Sequence, residues 1–281
     1  GLFQGRAHIA SRSHAMSLIS SPSNDRLKRV RLLQRQARAR RRERQLVLEG
    51  VRLIRDAVEA GVQPEYVLHA PELDQPAQEL VAALHGVGVP CLAVIEPLLR
   101  DLAETETPQG VLGVFPWPAL PVPAAPALVL VADGWRDPGN LGTAVRAAAA
   151  AGADAVVLTP GTVDPFNTKA LRAGMGGHFR VPLVWHRWDA LPEAFPGLRI
   201  AVADAAGDVC YDQVDWTQPS LIVVGGEAHG PRDSARDLPH LSVFIPMARG
   251  AESLNAAVAA SVLLFEAQRQ RRAYPRSDSG E

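Results

Sequence analysis

The chain has 281 residues, 47% of them hydrophobic, with a formal charge of −1 and a pI near 6.8, so it can bury one large core or two modest ones, and its total charge gives no reason to expect a polyanionic partner. Its apolar runs, Ala256–Phe265 and Ala119–Ala132, are too short or too broken by proline to cross a bilayer. Two cysteines, Cys91 and Cys210, stand far apart outside any C-x-x-C pattern, and none of the eight histidines joins a metal constellation, so neither a disulfide framework nor a metal is expected and a reducing, cytoplasmic setting fits.

Residues 1–15 precede Met16 without periodicity or a signal-peptide core, and are expected to be a non-native remnant outside the fold. From Asp25 to Arg44 (DRLKRVRLLQRQARARRRER) nearly every polar position is Arg or Lys. Leu27, Val30 and Leu33 share one helical face after a cap at Ser23 or Asn24. The opposite, one-signed cationic face suits a phosphate backbone, and Arg29, Arg40, Arg41 and Arg42 are its candidate RNA contacts. Strand, helix, strand follows over Leu46–Leu48, Val51–Val58 and Tyr66–Leu68. Another unit follows over Leu80–Leu84, Cys91–Val94 and Leu98–Leu102. The first domain is read as 16–115, a small α/β unit.

Five prolines between Pro116 and Pro126 exclude an ordinary helix or an interior strand, so 116–127 reads as a semi-rigid linker or surface strap. The second domain, 128–272, opens on the apolar run Leu128–Ala132. Further runs at Ala155–Leu158, Arg199–Ala203, Leu221–Val224 and Leu241–Ile245 alternate with helical stretches, which predicts a parallel α/β sheet. Residues 273–281 are a tail.

Asn140 is placed to cap a helix burying Leu141, Ala144, Val145 and Ala148. Arg146 is a lone cation in that helix, and either snorkels to solvent or faces an anion. Asp164–Leu183 adds Lys169, Arg172 and Arg180, of which Arg172 is a further RNA candidate, and three glycines that permit close backbone approach. His178 reads as structural. Two strands then end in small or rigid residues, at Gly225-Gly226 and at Pro246, with polar groups beyond. That is the crevice at the carboxyl ends of parallel strands where α/β proteins place ligands. No G-x-G-x-x-G follows the first strand of either domain, and no Walker-type GK[ST] occurs.

Together, DxxxDPGNLGTAVRAA, VVGGEAHG and IPMARGAESLNAAVAA resemble the three motifs of the SpoU/TrmH-type RNA ribose 2′-O-methyltransferases of the SPOUT superfamily, in order across Leu128–Arg272. The N-terminal half, with LVLEGVRLIRDA, is similar to that family's small L30e-like substrate-binding domain. The resemblance implies S-adenosyl-L-methionine as cofactor, a trefoil knot in the C-terminal domain and a homodimer with cofactor sites near the subunit interface. It places the catalytic polar set on Asn140, Arg146, Glu227, Ser253 and Asn255. Cofactor contacts fall on Gly225, Ile245 and Leu254, with Gly226, Met247 and Gly230 shaping the loops. Gly174 stands where the family often has serine.

In that reading Arg146 orients the ribose and favours the developing alkoxide, since a guanidinium is too weak an acid to serve as a base. Glu227 holds Arg146 or Asn140. One of Ser253 and Asn255 caps the last helix, and the other faces substrate or cofactor. Ribosomal RNA is the expected substrate ahead of transfer RNA, by analogy. The competing readings are an inactive RNA-binding or ribosome-assembly factor on the same fold and, more remotely, a nucleotide-dependent α/β enzyme.

Overall fold

The computed structural model describes residues 18–226, 238–248 and 253–273. Two sheets organise them. The first contains β1 (Gln45–Glu49), β2 (Tyr66–His69), β3 (Cys91–Ala93) and β4 (Val111–Pro116), in the order β1-β4-β2-β3. β4 runs antiparallel to β1 and β2, and β2 is parallel to β3. The sequence reading has no counterpart to β4. Its central residue is Gly113, where a Cβ would lie 2.6 Å from the ring of Phe115; a glycine inside an apolar run hides a strand that the fold needs open at that point.

Alternation along these strands serves two cores. Leu27, Val30 and Leu33 of α1 (Asp25–Arg35), with Leu99 and Leu102 of α5 (Glu96–Leu102), cover Val47, Leu68, Leu112 and Val114. On the opposite face, Ile54 and Ala57 of α3 (Val51–Glu59) and Leu80 and Leu84 of α4 (Gln75–Gly86) cover Leu46, Leu48, Val67 and Phe115. That second core is completed by Phe166, Leu171 and Phe179, which belong to the other half of the chain.

The second sheet has seven strands, all parallel: β5 (Leu128–Asp133), β6 (Ala155–Leu158), β7 (Leu183–Trp185), β8 (Arg199–Ala203), β9 (Val209–Cys210), β10 (Ser220–Gly225) and β11 (Leu241–Phe244). Their order is β7-β6-β5-β10-β8-β11-β9. The chain thus returns twice to insert a strand between two laid down earlier. The central strands β5, β6 and β10 are buried on both faces, which is why those runs are continuously apolar. The edge strands β7 and β9 have three and two residues, too short to stand out in the sequence.

One face of this sheet carries α6 (Pro138–Ala151) and α9 (Ala256–Ala273). The other is covered by Trp188 and by Leu191 of α8 (Leu191–Ala194). α7 (Thr168–Gly174) lies against α6 backbone to backbone, since a Cβ on Gly142 would sit 2.2 Å from the Ala170 carbonyl oxygen. The Pro-rich segment is a strap: Trp117 donates its backbone N–H to the Arg44 carbonyl at 2.8 Å and its indole N–H to the Gln45 carbonyl at 3.1 Å, and Val122 packs on the second sheet.

Candidate active site

The turn after β5 is built for rigidity. Asp133 is 1% exposed and accepts from the Thr159 hydroxyl at 2.7 Å and the Trp188 indole at 3.1 Å. The buried Trp135 donates to the Val224 carbonyl at 2.7 Å, and Gly226 N–H donates to the Asp133 carbonyl at 3.0 Å. These bonds tie the tip of β10 to the start of the β5–α6 turn. None of Asp133, Trp135 and Thr159 was singled out from the sequence, because their partners lie 25 or more residues away.

The α6 cap is a correction. Asp137, not Asn140, accepts the first orphan N–H, from Asn140 itself at 2.8 Å, and Pro138 occupies the first helical turn, where its missing donor costs nothing. That N–H, with the Lys169 ammonium 3.1 Å away, holds the Asp137 carboxyl below the usual carboxylate range. Relieved of capping, the Asn140 side chain accepts from Asn255 Nδ2 at 3.1 Å across 115 residues. Asn255 is the residue that caps the last helix: its Oδ1 accepts from Ala257 N–H at 2.9 Å and Val258 N–H at 3.3 Å. The helix accordingly begins at Ala256, and of the two expected caps it is Asn255 that serves. Ser253 and Leu254 are exposed just ahead of it. Glu227 and Gly230 lie outside the described residues.

Arg146 leaves the same helix about two turns beyond Asn140. Its side chain is exposed and forms no hydrogen bond or ion pair with the described residues. Its backbone is fixed from the other side: a Cβ on Gly177 would come within 3.0 Å of Arg146 Cα, so only glycine lets the 177–179 turn lie flat on α6. Gly174 has a related cause. A Cβ there would stand 2.3 Å from the His178 ring, so histidine fills the space a serine side chain would enter.

His178 is 1% exposed and neither ring nitrogen has a well-formed hydrogen bond among the described residues. Burial pushes its pKa down to about 4, and the Pro165 carbonyl offsets this only in part. The unfolded chain takes up this proton near pH 6.5, whereas the folded chain refuses it until about pH 4. Stability is therefore full above pH 6.5, falls by up to roughly 3 kcal/mol as the pH drops through that window, and is flat below it. Denaturant titrations at stepped pH should show this slope, and His178→Leu should flatten it; an unchanged slope in the variant rejects the assignment.

The basic candidates separate sharply. Arg41 and Arg42 are exposed on α2 (Ala37–Glu43). Arg29 is drawn to Glu43 at 3.3 Å and Glu65 at 3.2 Å, and Arg172 to Glu104 at 3.3 Å. Arg40 departs from its expected role as an RNA contact. It is 4% exposed, and its guanidinium is consumed by Asp164, at 2.7 Å through both Nε and Nη2, and by the carbonyls of Leu33 and Gln34. A charge run signals polarity, not exposure, and one member of this run is spent inside.

Around the strand tips the lining is mixed. Gly225 and Gly226 are half-buried, and Ile245 to Ala248 continue β11 without regular structure, with Ile245 and Met247 half-buried and Leu254 exposed. Apolar carbon beside a glycine backbone that carries no side chain suits a flat heterocycle with a polar edge. Among the described residues no group of three or more His, Cys, Asp and Glu could hold a metal ion, and no helix is long and apolar enough to cross a membrane. A separate cleft of about 500 Å³ lies in the first unit, but Glu49, Glu72, Asp74 and Glu96 line it, which disfavours a phosphate backbone.

A model described as the SpoU rRNA Methylase family matches residues 127–265, and one described as the MRM3-like substrate binding domain matches residues 24–113. The protein named rRNA methyltransferase 3, mitochondrial, of Mus musculus is 33% identical over 310 residues, an alignment covering 89% of this chain and 73% of that one. The 23S rRNA (guanosine(2553)-2'-O)-methyltransferase RlmP of Bacillus subtilis (strain 168) is 30% identical, with 89% of this chain and 98% of that one covered. Among solved structures, the SpoU methyltransferase AviRb from Streptomyces viridochromogenes in complex with the cofactor AdoMet superposes with a TM-score of 0.80 at 32% identity, over 89% of this chain and 99% of that one.

Proposed function

The chain belongs to the SpoU rRNA methylase family, and on that premise we propose that it transfers a methyl group from S-adenosyl-L-methionine to a ribose 2′-hydroxyl of RNA, with ribosomal RNA as the substrate class. The observation that carries this reading is the Asn140–Asn255 bond at 3.1 Å. It locks the head of α6, which bears Arg146, to the head of α9 beside the tips of β10 and β11. The names of the mouse and Bacillus relatives support the acceptor, and AviRb with AdoMet supports the cofactor.

In this mechanism Gly225, Gly226, Ile245, Met247 and Leu254 hold the cofactor, which when bound supplies an electrophilic methyl on a sulfonium. Arg146 seats the ribose and its adjoining phosphate, and stabilises the oxygen as its proton departs to solvent. The oxygen–carbon bond forms as the sulfur–carbon bond breaks, and the electron pair leaves on sulfur. Asn140 and Asn255 act as positioning residues, and Glu227 is assigned to hold Arg146 or Asn140. Exposed Arg41 and Arg42, with Arg29 and Arg172, carry the phosphate backbone.

The finer expectations belong to the same proposal. A homodimer is supported by Val258 and Phe265, 47% and 44% exposed and seven residues apart along α9, with Leu254, 36% exposed, just ahead of that helix. A trefoil knot is supported by the return of β10 and β11 between earlier strands. A cytoplasmic site of action rests on the Bacillus relative, whereas the mouse relative is named mitochondrial.

The test is methyl transfer from labelled S-adenosyl-L-methionine to ribosomal RNA, followed by alkaline hydrolysis. A 2′-O-methyl group removes the internal nucleophile of RNA cleavage, so the label should emerge in alkali-resistant dinucleotides and should vanish when the acceptor carries 2′-deoxyribose. Label on a base rejects the acceptor, and RNA binding without transfer rejects catalysis.

A further inference from the structure

The seam between the two units carries an aromatic group that the reaction does not use. Trp117 stacks on Trp185 with ring centroids 5.7 Å apart and planes at 18°, and is backed by Phe166 at 4.5 Å. The Arg44 guanidinium lies 5.1 Å from the Trp117 ring centre. Trp117 cannot swing, because its backbone and indole N–H groups are bonded to the Arg44 and Gln45 carbonyls. Trp135, Trp188 and Trp216 are 2%, 8% and 0% exposed, yet Trp185 stands 43% exposed. A tryptophan serving only to seal the seam would be covered, and Phe166 with Trp117 already closes it. Leaving a large aromatic surface in water is unfavourable unless something covers it.

Two further facts say what that is. Arg38, Arg41, Arg42 and Arg44 are all exposed along α2 and its C-terminal end, immediately before the strand to which Trp117 is bonded. The rings therefore adjoin a cationic ridge suited to a phosphate backbone. Trp185 also pairs with Leu158, Leu158 with Ala132, and Ala132 with Val224. Trp185 thus shares a row across the sheet with the tip of β10, three strand spacings or roughly 14 Å away.

Resting on the reading of RNA as substrate, we infer that Trp185, backed by Trp117 and flanked by the α2 arginines, is a stacking platform for an unpaired nucleobase of the RNA, a few nucleotides from the methylated ribose. Every base offers a π-face, so the platform selects unpaired over duplex RNA and not one base over another. Because Trp117 is already fixed behind Trp185, little further ordering of the protein is needed when a base joins the stack.

The experiment measures binding of a labelled single-stranded oligoadenylate, and of an abasic ribose-phosphate oligomer of equal length and charge, to the full chain and to Trp185→Phe, Trp185→Leu and Trp185→Ala, with melting curves confirming each fold. The wild type and Trp185→Phe should prefer the oligoadenylate by roughly 10-fold, and Trp185→Leu, which keeps the apolar bulk without a π-face, should lose that preference. Equal binding of the two oligomers by the wild type, or an undiminished preference in Trp185→Leu, overturns the platform. Methyl transfer to ribosomal RNA is assayed in parallel. Preference for oligoadenylate without methyl transfer by the wild type overturns the activity and sustains the platform; methyl transfer without that preference does the reverse.

Discussion

Arg146→Ala is expected to lower kcat for methyl transfer by a factor on the order of 10²–10³ while leaving the unfolding midpoint and the affinity for S-adenosyl-L-methionine unchanged. The side chain is exposed and bonded to none of the described residues, so its loss costs the fold little. Its Cα, packed against the Gly177 turn, fixes the point on α6 from which the guanidinium reaches out. A neutral ribose hydroxyl gains little from a guanidinium, and a developing alkoxide gains much, so the loss should fall on kcat ahead of KM. Arg146→Lys should recover only part, since an ammonium restores charge without the planar fork that grips a phosphate and a sugar oxygen together. Single-turnover methylation checks both variants; a wild-type rate in Arg146→Ala sinks the assignment.

Arg40→Met and Asp164→Leu are each expected to cost about 3–5 kcal/mol, because either change leaves the remaining partner buried without its counter-charge. The pair links α2 to the loop after β6 across 124 residues, with both groups under 10% exposed. Asp164 also accepts the Phe166 N–H at 3.0 Å, which sets Phe166 in the shared core. The double replacement Arg40→Met with Asp164→Leu should regain most of the loss, since an apolar pair avoids the cost of desolvating ions. Urea unfolding of the four proteins closes the cycle. Full stability in Arg40→Met would mean the guanidinium is not spent on Asp164 as the geometry requires.

Local chemistry made part of this molecule legible. The runs at Leu128, Ala155, Arg199, Leu221 and Leu241 became strands, the first four because a strand buried on both faces needs little but apolar residues. Asn140 stood out as a helix-head polar residue and Arg146 as a lone cation in an apolar helix, Ser253 and Asn255 were implied by the family resemblance, and the structure brings Asn140 and Asn255 into contact. The cap went to Asp137 because proline at the next position fixes a helical φ and needs no donor. That displacement was written in the tetrapeptide DPGN, although its consequence, an asparagine released to bridge two helices, was not.

By itself the amino-acid order determined a two-part α/β protein, a basic N-terminal segment and the polar groups grouped around the ends of the later strands, since these depend on spacing along a few turns or one strand. Only the tertiary structure decided that β10 and β11 enter between strands already in place, that Arg40 is withdrawn into a seam while Arg41 stays outside, that Gly174 yields its space to His178, and that Trp185 remains uncovered beside Trp117. Apart from the local Gly174–His178 contact, each of these is set by contacts between residues distant in the chain, where the free energy of burying one group depends on which partner the rest of the fold delivers to it.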